Sequence, residues 1–259
     1  MKLIKIIGHL LIFLFLTALT QVGGIIWCIT CFVSYKYSKR KRIVFPLIYL
    51  VFNLMIVPPI AKFLGRERLP VLNSQLRPRN ITYPLLFRNY VKPELNDLLK
   101  NTAKRLTTYD ITITYLDANF PFLDGFPLLP HLSHNDGKKI DISFMYMTNK
   151  GNKTNKKPSV SGYGIYVEKE NPTANDCINK GYLQYDFTKY LSLENKSNLK
   201  FDPENTKTLI LELLKAANSE KLFIEPYLKD QLGLNAYSKI RFHGCQAVRH
   251  DDHIHFQIK

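Results

Sequence analysis

The chain closes on "HIHFQIK", residues 253–259, and the alternation in that stretch decides how the rest is read. In a strand, side chains two apart share a face, about 6.6 Å apart along the chain. His253, His255 and Gln257 then line one face, and Ile254, Phe256 and Ile258 the other. The apolar set belongs in a core, so the stretch reads as a final strand with its histidines on an open face. Immediately upstream, "VRHDD" adds His250.

A metal needs further ligands, and "HLSHNDGKKIDISF", residues 131–144, supplies them. His134 lies in an irregular loop and Asp141 near the start of the strand that follows. In that strand Asp141, Ser143 and Met145 face opposite to Ile140, Ile142 and Phe144. His134, Asp141 and His255 would make a three-ligand site with one position left for water, the arrangement of catalytic rather than structural zinc. Zinc lowers the pKa of a bound water to about 7. His253, beside such a site, is placed to accept or pass a proton. Neither H-x₆-D nor H-x-H is specific alone. Their joint occurrence, each beside an alternating strand, carries the weight.

Other stretches set the fold class. "KPELNDLLKNTAKRL" (92–106) places Leu95, Leu98, Leu99, Ala103 and Leu106 on one helical stripe. "DITITYL" (110–116) and "IDISFMYM" (140–147) alternate as strands. "FDPENTKTLILELLKAA" (201–217) predicts a helix with Asp202 as N-cap and Pro203 at its first position. "KLFIEPYL" (221–228) is a short strand leading into a turn or helix. "TNKGNKTNKKPSVSG" (148–162) reads as a basic loop projecting into solvent. Helices and strands mix without βαβ alternation, which predicts α+β with a mainly antiparallel sheet and flanking helices.

The amino-terminal part differs in kind. Residues 6–33 form an almost unbroken apolar run, longer than the roughly 20 residues that span a bilayer. A second run covers residues 43–61, interrupted by Pro46, Asn53 and Pro58–Pro59. Between them "SYKYSKRKR" packs five basic residues, which places that loop in the cytoplasm and both flanking parts outside. Lys2 and Lys5 pull the other way. Residues 1–61 are therefore expected as a transmembrane hairpin anchor, 62–90 as a tether and 91–259 as an extracytoplasmic domain. Cys28 and Cys31 fall in the apolar run and read as small apolar residues. Cys177 and Cys245, the only cysteines beyond it, are a disulfide pair for an oxidising compartment. The formal charge of +15 suits an anionic envelope. No basic stripe with interleaved aromatics and no base-reading motif is present, so nucleic acid is not an expected partner.

With H-x-x-H-x₆-D at 131–141 and H-x-x-H-x-H at 250–255, residues from about 110 onward resemble the penicillin-insensitive murein endopeptidases. These belong to the zinc peptidases grouped with lysostaphin, D-Ala-D-Ala peptidases and hedgehog. The resemblance implies that His134, Asp141 and His255 hold Zn²⁺ and that His253 is the general base. It also implies that His131 and His250 sit beside the metal and steady the transition state. On that reading the chain is a zinc metallopeptidase of the bacterial inner membrane with a periplasmic domain, hydrolysing crosslinks or stem peptides of peptidoglycan. The alternative is a non-catalytic, zinc-stabilised envelope or wall-binding protein. The chain departs from the family in its membrane segments and in the basic stretch 148–162.

Overall fold

The computed structural model describes residues 2–168, 171–193 and 198–259. Its helices are α1 (Lys2–Thr20), α2 (Gly23–Lys36), α3 (Lys41–Val51), α4 (Val57–Phe63), α5 (Thr82–Leu85), α6 (Pro93–Leu106), α7 (Pro172–Asn179), α8 (Pro203–Leu214) and α9 (Pro226–Gln231). Its strands are β1 (Glu67–Arg68), β2 (Leu76–Pro78), β3 (Tyr90–Val91), β4 (Ile113–Tyr115), β5 (Lys139–Ser143), β6 (Tyr146–Thr148), β7 (Lys153–Thr154), β8 (Leu199–Phe201), β9 (Ser219–Phe223), β10 (Ile240–Arg241) and β11 (His253–Ile258). The class is α+β, as expected. Two compact units divide the chain: residues 1–69, 82–93 and 118–137 form one, and residues 70–81, 94–117 and 138–259 the other.

The second unit is built on a six-stranded sheet of order β10-β9-β11-β5-β4-β2. The pairings β9–β11, β11–β5 and β5–β4 are antiparallel, and the two outermost are parallel. Ile140, Ile142, Ile254 and Phe256 are fully buried. Helix α6 buries the whole predicted stripe from Leu95 to Leu106, and Asp202 caps α8 by accepting the Asn205 N–H at 3.0 Å. Cys177 and Cys245 are disulfide-bonded, joining α7 to the segment before His250. Closing a loop of 68 residues restricts the unfolded chain by about 4 kcal/mol in the chain-entropy picture.

Three stretches differ from their sequence reading. The strand expected over 140–147 breaks after Ser143, because the next backbone groups are taken elsewhere. Phe144 O accepts Lys157 Nζ at 2.7 Å, Met145 N donates to Thr206 Oγ1, and Met145 O accepts the Asp202 N–H. The basic stretch 148–162 is not a projecting loop. It forms the β6–β7 hairpin of a three-stranded sheet with β8, and it buries Lys157 and Ser159. Residues 62–90 are no plain tether either: β1 pairs with β3, β2 joins the main sheet, and α5 lies between.

In the first unit, α1 and the continuous helical stretch 41–63 are long and apolar enough to cross a membrane, with the shorter apolar α2 between them. The first apolar run is thus not one span. It turns at Gln21, whose φ is +66°, and the Thr20 hydroxyl accepts the Gly23 N–H at 2.8 Å. A Cβ on Gly24 would lie 2.8 Å from Phe13 O, so only glycine lets α2 return this closely along α1. On the return, Lys41 Nζ meets His9 Nε2 at 2.9 Å. Lys2 and Lys5 therefore lie toward the same end as the basic loop, which removes the charge conflict of a single span. Pro46 lies within α3, and a π-turn at Phe52–Ile56 stands just ahead of Pro58 and Pro59 and absorbs them.

Arg66, 1% exposed, follows α4 and reaches into residues 118–137 of the same unit. It donates to Phe120 O and Asn135 O and pairs with Asp124. Removing a partner of a buried carbonyl costs about 1–3 kcal/mol. Arg66→Ala is therefore expected to speed exchange of the Gly125 amide, which is bonded to Asn135 O, by about 5- to 150-fold. Hydrogen exchange of the full chain in detergent checks this; unchanged protection of 118–137 would show that the segment holds itself.

Burial, with Arg79 and Arg77 nearby, holds the Lys157 ammonium down at about 7. Below that pH both folded and unfolded states are protonated and the cost of burying the charge is fully present. From about pH 7 to 10 the unfolded chain binds the additional proton, so this group makes stability rise with pH. Lys157→Met is expected to flatten that rise in thermal midpoints measured across the window. A slope unchanged in the variant would assign it to another group.

Candidate metal centre

The central strands of the second unit set the site. Register places His255 opposite Asp141 and His253 opposite Ser143. Directly opposed residues of an antiparallel pair point to the same face with Cβ atoms about 5 Å apart. His255 Nδ1 accordingly lies 3.0 Å from Asp141 Oδ1, and His253 Nε2 lies 3.7 Å from Asp141 Oδ2. Two ligands of a tetrahedral zinc, each about 2.0–2.1 Å from the ion, stand about 3.3 Å apart. Asp141 and His255, hydrogen-bonded to each other here, are close enough to serve one metal ion.

The histidine face is not open as the alternation implies. His253 and Asp141 are fully buried and His255 nearly so. The cover comes from Tyr163, whose ring meets the His253 ring edge-on at 4.9 Å and whose hydroxyl donates to Asp141 Oδ2 at 2.8 Å. Asp252 accepts from His253 Nδ1 and from the Gly164 N–H at 2.5 Å. With Nδ1 engaged in this way, His253 turns its Nε2 toward Asp141. Burial alone pulls the His253 imidazole down, but Asp252 and Asp141 outweigh it and push the ring up to about 9.

His250 is buried and held well below the ordinary histidine range, first by burial and then by His253 and His255. Its backbone N–H donates to Glu225 Oε1 at 3.0 Å, and Tyr185 donates to the other Glu225 oxygen. Burial raises that carboxyl above its usual range. Next to it Arg249 Nε donates to Asp251 Oδ1 at 2.7 Å, so the turn before β11 is pinned on both sides of His250. His243, which the sequence reading left without a role, stacks on His250 at 5.6 Å and is shifted down by burial.

In the first unit, a turn in which the His134 N–H donates to His131 O brings the two imidazoles to 5.6 Å. Both are buried. His134 Nδ1 lies 2.8 Å from Ala118 O, a contact in which the ring N–H donates to the carbonyl and Nε2 is turned away from it. Ala118 directly follows Asp117, whose carbonyl accepts the Asp141 N–H at 2.8 Å.

Among the described residues, buried side chains of the kind that can hold a metal ion are His131 and His134 in the first unit and Asp141, His253 and His255 in the second. Compared with protein-family models and with curated proteins, the chain matches none. Tyr163, Asp252 and Glu225 are the supporting residues that motif reading misses. Asp252 had a signal, being a carboxylate beside a histidine of the cluster, whereas Tyr163 sits in a Gly- and Ser-rich stretch with no periodicity.

Outer partners of metal ligands are typically worth 10–100-fold in affinity. Tyr163→Phe removes a hydroxyl from Asp141 without changing shape, so metal affinity is expected to fall by about that factor. Competition with a chromophoric chelator measures it. An affinity equal to that of the unaltered chain would remove Tyr163 from the site.

Proposed function

We propose that the chain is a membrane-anchored zinc peptidase acting on peptide crosslinks or stem peptides of peptidoglycan, similar to the penicillin-insensitive murein endopeptidases. His134, Asp141 and His255 are the ligands in this reading, and a residue set of two histidines and one carboxylate suits catalytic zinc. The observation that carries it is the Asp252–His253 pair two residues from His255. A site built only to hold metal has no use for a second histidine fixed by its own carboxylate.

Zinc bound there supplies Lewis-acid polarisation of a carbonyl and activation of water at neutral pH. The chain's own part is proton movement and orientation. With a cation on Asp141 cancelling part of the charge that raises its ring, His253 Nε2 is the atom that would take a proton from the attacking water and return it to the leaving amine, while Asp252 holds the ring in one tautomer. Tyr163 holds Asp141. His131 and His250 border the reacting group and donate to the developing negative charge.

The two long apolar helices and the disulfide are consistent with membrane anchoring and an extracytoplasmic domain. We place the basic loop and the amino-terminal lysines in the cytoplasm and the disulfide-bearing unit in the periplasm of a bacterial cell. The near-complete burial of the histidines favours a second reading, a zinc-stabilised envelope or wall-binding protein without catalysis.

The full chain in detergent, loaded with zinc and incubated with purified peptidoglycan, separates the two by the mass of released fragments. His255→Ala is expected to lose metal and hydrolysis together. His253→Ala is expected to keep metal while hydrolysis falls by about 10²–10⁴-fold. Loss of zinc from the His253 variant would make that residue a ligand. Stoichiometric zinc with no fragments from any peptidoglycan would leave the binding reading.

A further inference from the structure

Four histidines belong to the second unit, and only one of them meets solvent. His250, His253 and His255 are each 4% exposed or less, whereas His243 is exposed. The His243 ring stacks on His250 with centroids 5.6 Å apart and 18° between the planes, and it meets His255 edge-on at 6.4 Å. Phe223 is the apolar floor shared by all three, at 4.5 Å from His243, 5.9 Å from His250 and 5.4 Å from His255. His250 in turn meets His253 at 4.9 Å. A series of imidazoles therefore runs from solvent to the buried face of β11, with His243 at its outer end.

Two local features hold that ring in place. Gly244, at φ +91°, turns the backbone directly after it, a conformation that residues with a Cβ rarely adopt. One residue further, Cys245 is tied to Cys177. Packing does not explain the choice of histidine. The position is exposed, neither ring nitrogen is hydrogen-bonded to another described residue, and a plain aromatic ring would stack as well.

Burying an unpaired charge is costly, so a divalent cation reaches enclosed ligands only as protein donors take over from its water. Neutral imidazole is such a donor for zinc. Two imidazoles that share a zinc at ~2.0–2.1 Å hold their ring centres about 5 Å apart, close to the His243–His250 separation. Lys221 reaches over the same Phe223 ring at 5.9 Å, but its ion pair with Glu220 at 3.6 Å offsets its charge.

We propose that His243 is the capture residue of the candidate metal centre. It takes a divalent cation from solvent and passes it, by way of His250, to the enclosed histidines of β11, and it is not a ligand once the ion is seated. The inference rests on the zinc reading above and adds to it a route of entry.

The test follows Zn²⁺ uptake by the metal-free full chain in detergent, and Zn²⁺ release to a chromophoric chelator. It is run at pH 8, where a histidine of ordinary pKa, about 6.5, is neutral. The unaltered chain is compared with His243→Phe, which keeps a stacking ring without the donor atom, and with His243→Ala, which removes both. Both variants are expected to take up and release zinc about tenfold or more slowly, the scale on which loss of one contact near a metal is felt. Equilibrium affinity should stay within about twofold, because a residue that holds the ion only in passage changes both rates alike. Unchanged rates in His243→Phe would overturn the proposal and leave the zinc reading standing, and slowing by His243→Ala alone would reduce the residue to packing. Weaker affinity with unchanged uptake would make His243 a resident ligand, which also contradicts the proposal. An unaltered chain that binds no zinc would sink the zinc reading and this route with it.

Discussion

The antiparallel pairing of β5 with β11 is the constraint on which the candidate metal centre depends. Ile254 lies opposite Ile142 and Phe256 opposite Ile140, and all four are fully buried. Burying a side chain of this size contributes about 1.5–3 kcal/mol, so the four together hold the register by about 6 kcal/mol or more. Because strand side chains alternate, slipping by one residue would drive Asp141 and His255 into the apolar layer. Hydrophobic burial on one face therefore fixes, on the other, which carboxylate meets which histidine. The Asp141–His255 pairing is a by-product of the core.

That other face is polar, yet it is buried too, which is costly unless each group is satisfied. Tyr163 answers Asp141, Asp252 answers His253, and Glu225 answers the His250 backbone. Arg249, itself buried, is held between Asp251 and Asp186 and lies 3.8 Å over the Tyr166 ring. Networks of this kind are stable only when nearly complete. The chain spends several aromatic hydroxyls on completing one around a histidine cluster. A purpose for the cluster is the simplest physical account of that expense.

Local periodicity made the strands and helices of the second unit legible: the apolar stripe of α6, the cap of α8 and the alternation of β11 all follow short-range rules. The facing of Asp141 and His255 followed from the same period of two. What the sequence did not reveal was long-range. Nothing near residue 163 marks Tyr163 as the cover of a site whose motifs lie more than twenty residues before it and more than eighty after it. The end of β5 depends on Lys157, Thr206 and Asp202, and none of these is adjacent to it in sequence. Lys157 also shows why a basic, polar stretch was misread as a loop. A lysine stem is apolar enough to be buried when its ammonium finds a carbonyl.

The polar residues that interrupt or closely follow the apolar helices share a single logic. Gln21 accepts the Phe122 N–H at 2.8 Å and so holds the segment that carries His131 and His134. Asn53 donates to Pro84 O at 2.8 Å and accepts from Arg68 Nη2 at 3.0 Å. Arg66 takes the carbonyls of Phe120 and Asn135. Each lowers the hydropathy of a segment that is otherwise suited to lipid, and each is bonded to backbone or side chain outside the helices. These are docking points for irregular chain that has no sheet of its own to satisfy its peptide groups. Apolar contacts support them, since Phe87, Tyr90 and Phe122 share a core with Val22, Ile26 and Val57. The helices are therefore part of what shapes the histidine loop. A fragment without them would retain the six-stranded sheet's residues but lose the groups that hold residues 118–137, which is why the full chain is the form in which metal binding is to be measured.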